Sequence, residues 1–204
     1  MFKKAYIILI IIIGTASAAN GQGLSSGPGY QMLLMDNPAL AGSEGDGVLR
    51  MSYLNFYPGN SFDLNSVYLS YDSYFPGLHG GTGFYLSEDY WGGIVNDLRG
   101  GFSYAYFLQA GKELFINAGL TGSVFHRGYN FSNAVFPDQI DPVGGVSFPS
   151  SEVLDNTGKT LFDIGAGILF IAGKLAGGFA VNHLSEPELS SSAVSTEKID
   201  RKYS

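Results

Sequence analysis

Residues 99 to 108 read Arg99-Gly100-Gly101-Phe102-Ser103-Tyr104-Ala105-Tyr106-Phe107-Leu108. Phe102, Tyr104, Tyr106 and Leu108 fall on one side of a two-residue period, and Gly101, Ser103 and Ala105 on the other. Only an extended strand gives successive side chains opposite faces. Here the bulky apolar face opposes one of small and polar residues, so one side packs tightly while the other meets an apolar medium.

The same rhythm continues on both sides. Toward the N-terminus, Val48 to Tyr57 sets Leu49, Met51, Tyr53 and Tyr57 against Arg50 and Ser52. Leu64 to Tyr74 sets Val67, Leu69 and Tyr71 against Ser66, Tyr68, Ser70 and Asp72. Gly80 to Asp89 sets Phe84 and Leu86 against Gly83, Tyr85 and Ser87. Toward the C-terminus, Leu114 to His126 sets Leu114, Ile116, Ala118, Leu120 and Val124 against Asn117, Gly119, Thr121 and Ser123. Leu161 to Ile171 and Lys174 to His183 complete the series around a tight Ala172-Gly173 turn. Pro58-Gly59-Asn60, Pro76-Gly77 and Tyr90-Trp91-Gly92-Gly93 punctuate the chain where strands must reverse. About seven strands of roughly 9 to 12 residues result, close to what a tilted membrane strand requires and longer than the ~5 or 6 of soluble strands. Residues 127 to 160 form a long polar loop, ordinary on the extracellular side of an outer-membrane barrel. No amphipathic helix of useful length interrupts the pattern. The expected fold is all-β, an antiparallel transmembrane β-barrel of outer-membrane type. A soluble β-sandwich also alternates, but its wet face usually carries more Lys and Glu.

Composition points the same way. Only 14% of the 204 residues are charged, against ~25% in an average soluble domain, while 13 Tyr, 15 Phe and 29 Gly are present. The net charge of −7 leaves no basic footprint for nucleic acid. The absence of cysteine excludes disulfides and thiolate metal sites. Tyr53, Tyr57, Tyr71, Tyr74, Tyr90 and Trp91 fall near strand ends, where an interfacial girdle and plain β-propensity give the same pattern.

Residues 1 to 18 read as a cleaved signal peptide. Lys3 and Lys4 precede the apolar run Ala5 to Ile13, and Ala16-Ser17-Ala18 supplies small residues at a cleavage site. The run is too short to cross ~30 Å of hydrocarbon as a helix. Residues 19 to 46 form a turn-rich lead-in, 47 to 184 the strands, and 185 to 204 a polar segment leading to further strands.

Candidate chemistry is sparse. The three histidines, His79, His126 and His183, stand at strand ends without a nucleophile elbow Gly-x-Ser-x-Gly. An outer-membrane lipid hydrolase would need a nucleophile, a base and an orienting group. Asp138, Asp141 and Asp155 do not follow the ligand spacing of a calcium loop. Gly165-Ala166-Gly167 lacks the third glycine and the helix of a dinucleotide site. No catalytic, cofactor or metal residue is therefore expected.

Several segments, in order, resemble the PorP/SprF family, outer-membrane proteins of the type IX secretion system in Bacteroidetes. Tyr30-Gln31-Met32 and Asp36-Asn37-Pro38-Ala39-Leu40-Ala41-Gly42-Ser43 resemble the family's N-P-A-x-A-G opening, and Arg50 its early arginine. Gly81 to Asp89 resembles a glycine-rich third strand ending in an acidic turn. Ser103-Tyr104-Ala105-Tyr106 is similar to an S-Y-A-Y strand, and Phe136 to Pro142 to a loop element. Phe162-Asp163-Ile164-Gly165-Ala166-Gly167-Ile168 and Gly178 to Pro187, with His183, Leu184 and Pro187, resemble the paired strands ending in H-L-x-x-P. The turn after Asp89 departs from the family, reading Tyr90-Trp91-Gly92-Gly93 where a basic residue is commoner. Family members also run longer, so the resemblance implies a chain short of the full barrel. Seven strands would leave two edges unpaired in lipid, and such a chain is not expected to close alone.

The resemblance implies a barrel in the cell outer membrane that supports export or surface attachment of secreted cargo, such as gliding adhesins. It implies contact with outer-membrane lipid, with periplasmic secretion components and with cargo proteins. It implies no catalysis and no cofactor. A general porin or small-solute channel is the alternative, which a polar, water-lined lumen would support.

Overall fold

The computed structural model describes residues 32–59, 64–131, 140–141, 145–146, 158–188 and 198–204. The signal-peptide segment, Tyr30, Gln31, Phe136 to Gln139, Pro142 and Asp155 lie outside the described residues.

The alternating segments become strands β1 (Val48–Asn55), β2 (Leu64–Phe75), β3 (Gly80–Trp91), β4 (Val95–Gln109), β5 (Leu114–Tyr129), β8 (Lys159–Ala172) and β9 (Leu175–Asn182). An eighth, β10 (Lys202–Tyr203), adds a short antiparallel edge on β9. The sheet order is β1-β2-β3-β4-β5-β8-β9-β10, an up-and-down meander, and the sheet is not closed. Between β5 and β8, β6 (Ile140–Asp141) and β7 (Gly145–Val146) pair as a separate ribbon.

The eighth strand lies within residues 185 to 204, the segment expected to lead to further strands. Two details differ from the sequence expectation. β4 begins at Val95 instead of Arg99, because the tight turn at 92–94 lets Val95 pair Trp91 and Asp97 pair Asp89. β5 runs on to Tyr129, so the long connection is shorter than 127 to 160 and carries the β6–β7 ribbon. At a rise of about 3.4 Å per residue, the 15 residues of β4 extend about 50 Å.

Burial on this sheet is reversed relative to a soluble protein. On the outer face Met51 is 73% exposed, Phe162 75% and Leu120 62%. On the inner face Asp72 and Asp97 are each 1% exposed, and Ser70 and Ser103 are fully covered. A water-soluble sheet gains by turning its apolar face to a core. Here the buried face carries the polar side chains and, among the described residues, no protein layer covers the apolar face, which is the arrangement of a transmembrane barrel wall. Tyr104 and Tyr106 lie on the outer face, where the Tyr104 hydroxyl donates to the Leu78 carbonyl at 2.8 Å. Tyr74, grouped above with the strand-end aromatics, instead turns inward and stacks on Phe107 at 5.5 Å. Among the described residues no helix is long and apolar enough to cross a membrane.

Candidate functional site

The lead-in is an internal structure. A single helical turn, α1 (Leu33–Asp36), leads into a 3₁₀ turn at Pro38–Leu40. Asn37 joins them in extended conformation (φ −147°), as the residue before a proline prefers. Its Oδ1 accepts the Ala39 N–H at 2.9 Å and caps the turn. Pro38 sits where a missing N–H costs nothing. The segment lies across the inner face of the sheet as a plug. Pro38 and Ala39 rest on Gly119 of β5, and Asn37 rests on Gly167 of β8. A Cβ at either glycine would fall inside the plug, so only glycine permits the approach.

Wall side chains hold the plug. Asn37 Nδ2 donates to the Ile168 carbonyl at 3.4 Å, and Asn182 Nδ2 to the Met35 carbonyl at 3.0 Å. Lys202 Nζ pairs with Asp36 at 2.8 Å. The Gly42 N–H donates to Asp72 Oδ2 at 2.8 Å, while the other Asp72 oxygen takes the Arg50 guanidinium, which also reaches Glu44. Met32, Leu34 and Ala41 of the plug pack with Tyr68, Tyr85 and Ala105 of the wall. This apolar cluster lies between plug and sheet.

A second cluster stands further along the inner face, toward the 92–94 turn. Arg127 grips both oxygens of Asp97 at 2.7 Å. Arg99 faces Asp89 at 3.7 Å and Asp97 at 3.8 Å, and Ser66 donates to Asp89 at 2.6 Å. Both guanidinium groups flank the Phe125 ring, at 5.1 and 5.4 Å. Opposite charges on facing strands pin the register of β2 through β5.

A third cluster ties the end of β9 to β8. His183 Nδ1 lies 2.8 Å from Asp163 Oδ2, and the Ser185 hydroxyl donates to Asp163 Oδ1 at 2.8 Å. A hydrolytic relay places the histidine between hydroxyl and carboxylate. Here the carboxylate stands between the other two, so the arrangement is a clamp. His183 adopts a left-handed backbone (φ 60°), which turns the chain back over β8. The Leu184 N–H then donates to the Ile164 carbonyl at 3.0 Å, and the Pro187 carbonyl accepts from Ile199 at 3.0 Å. Gly165 leaves room for Asn182 Oδ1. Among the described residues no group of His, Asp and Glu could hold a metal ion.

The residues singled out from the sequence thus divide by place. Asn37, Pro38, Ala39, Gly42 and Gly167 meet at the plug, and Arg50 joins them through Asp72. Asp163, Gly165, His183, Leu184 and Pro187 gather at the β8–β9 end. Asp89 belongs to the arginine cluster, and Tyr104 and Tyr106 are on the opposite face. Asp97, Arg99, Arg127 and Asn182 were not singled out, and the inner face carries more charge than Arg50 and Asp72 alone. Their signal was phase: Asp97, Arg99, Gly101 and Ser103 fall on one side of the β4 alternation.

Close approach at Gly119 makes the seat sensitive. Gly119→Val is expected to lift Pro38 and Ala39 off the wall, since overpacking of a tight contact costs about 1–3 kcal/mol. Limited proteolysis of the folded variant should nick the chain between residues 32 and 47. Protection equal to that of the unmodified chain would count against this seating.

No curated protein and no solved structure matches the chain significantly. The family model described as "Type IX secretion system membrane protein PorP/SprF" matches residues 30–204. The match covers the plug, the strands and the β8–β9 clamp alike, and the chain belongs to the PorP/SprF family of type IX secretion system membrane proteins.

Proposed function

We propose that these strands are a wall of an outer-membrane barrel that serves the type IX machine as a non-catalytic anchor or docking part, supporting export or surface attachment of secreted cargo. The observation that carries the reading is the reversed burial, with Met51, Leu120 and Phe162 outward and Asp72 and Asp97 inward. Lipid is the medium that stabilises such an outer face. The connections support an orientation. The turns at 76–79, 110–113 and 173–174 are all short and share one end of the sheet. The longer connections 130–158 and 183–201 return at the other end, which also carries the tight turn at 92–94. Short turns belong on the periplasmic side and long loops on the cell surface. The lead-in enters from the short-turn end, toward periplasmic secretion components.

The expected result of fractionation is recovery in the outer membrane. Deletion of the gene should abolish secretion or surface display of its cargo. Normal display in the deletion strain would sink the secretion role. The polar inner face gives a second reading, a solute channel, and a steady ohmic conductance in planar bilayers would favour it. The plug across that face argues against a permanently open pore.

A further inference from the structure

The plug covers polar groups of the wall without satisfying them. The Tyr68, Ser70 and Ser87 hydroxyls are buried; Tyr68 and Ser70 have only each other, and Ser87 has no hydrogen-bond partner among the described residues. The register sets Tyr68 beside Ser87 and Ser70 beside Tyr85, so the three form one patch. Met32 and Leu34 of the plug pack on the two tyrosines of that patch. Apolar side chains therefore seal hydroxyls away from water. Each sealed hydroxyl penalises the seated state, and water removes the penalty once the cover lifts.

The tether has the form of a hinge. Gly42 (φ 68°) and Gly45 (φ 89°) occupy backbone regions open to glycine, and residues 44 to 47 are exposed. Arg50 and Asp72 fix the wall side of this tether. Beyond it, the polar contacts that hold the segment come from Asn37, Asn182 and Lys202, each reversible by water.

We propose that Met32–Ala41 is a displaceable stopper, hinged at Gly42, where the chain is anchored to the wall through Asp72 and through the Gly45 carbonyl that accepts the Tyr74 N–H, and that its withdrawal exposes the polar inner face to water. The inference rests on the barrel reading above. Its physical content is a two-state segment whose seated form is opposed by the three sealed hydroxyls and favoured by the Asn37, Asn182 and Asp36 contacts.

The chain has no native cysteine, so introduced ones are unique. The full chain is refolded into phosphatidylethanolamine–phosphatidylglycerol vesicles. In Ser70→Cys, a water-soluble maleimide reports opening above the patch. Adding Asn37→Ala, which removes the turn cap and the Ile168 contact, should speed labelling about tenfold, equivalent to about 1.4 kcal/mol. An Asp36→Cys, Lys202→Cys pair places one cysteine on the plug and one on β10, where the native side chains meet at 2.8 Å, and a bis-maleimide with a reducible spacer joins them. Cross-linked, it should protect the chain between residues 32 and 42 from limited proteolysis, and reduction should restore cleavage. Equal labelling rates with and without Asn37→Ala, or cleavage indifferent to the cross-link, would overturn the stopper, while insertion of the unmodified chain into the vesicles leaves the lipid-facing wall intact. Failure of the unmodified chain to insert into the vesicles would instead overturn the barrel reading.

Discussion

Leu120→Arg is expected to destabilise the folded protein by about 2–4 kcal/mol, the range for a cation at the lipid-facing midplane of a barrel. Leu120 sits well inside β5, is 62% exposed, and pairs with Tyr104 and Ala166 on its two neighbours. In water, replacing so exposed a leucine would change stability by no more than about 0.5 kcal/mol. The sign and size of the effect therefore report the medium. Depth supplies the control. Leu108 is also outward, but next to the end of β4, and Leu108→Arg is expected to cost only about 0–1 kcal/mol. Urea unfolding in vesicles, followed by fluorescence of the single tryptophan, Trp91, measures both. Equal and negligible effects at the two positions would remove lipid from the account.

The second large effect is expected on the opposite face. Asp72→Ala should cost about 3–5 kcal/mol, because truncating one partner of a buried ion pair leaves the other charge uncompensated. Asp72 is almost fully buried and serves two groups at once, the Arg50 guanidinium and the Gly42 N–H. Its loss strands the arginine on β1 and frees the end of the plug. The Arg50–Glu44 pair is not expected to compensate, because Glu44 is exposed and such pairs contribute about 0–1 kcal/mol. Asp72→Asn keeps an acceptor for Gly42 and should lose less. Arg50→Ala combined with Asp72→Ala should cost less than the two single losses added, since the lone charge is gone. A loss below about 1 kcal/mol for Asp72→Ala, measured by the same unfolding assay, would show that the latch is dispensable.

The two variants probe halves of one design. The outer face is stabilised by what surrounds the protein, and the inner face by charges and hydrogen bonds between strands. Family membership ties this wall to type IX secretion. The plug then sets what the wall can do: seated, it fills the inner face near the short-turn end, and the arginine cluster stands beyond it toward the long loops.

The facing of β1 to β5 was legible in the sequence, because side-chain direction depends only on a two-residue period that each segment carries by itself. Phe102 and Leu120 outward, with Ser103 and Thr121 inward, needed no knowledge of any partner strand. What surrounds residues 32 to 42 could not be read that way. Gly119 and Gly167 are far apart in sequence and become one seat only when β5 pairs β8 in register, with Gly119 directly opposite Gly167. The Asp97–Arg127 grip likewise exists because β4 and β5 place those two residues side by side. Local periodicity fixes direction, whereas contacts between distant strands depend on register and on the length of every turn between them. That is why the sequence alone determined the wall and only the tertiary structure revealed the plug within it.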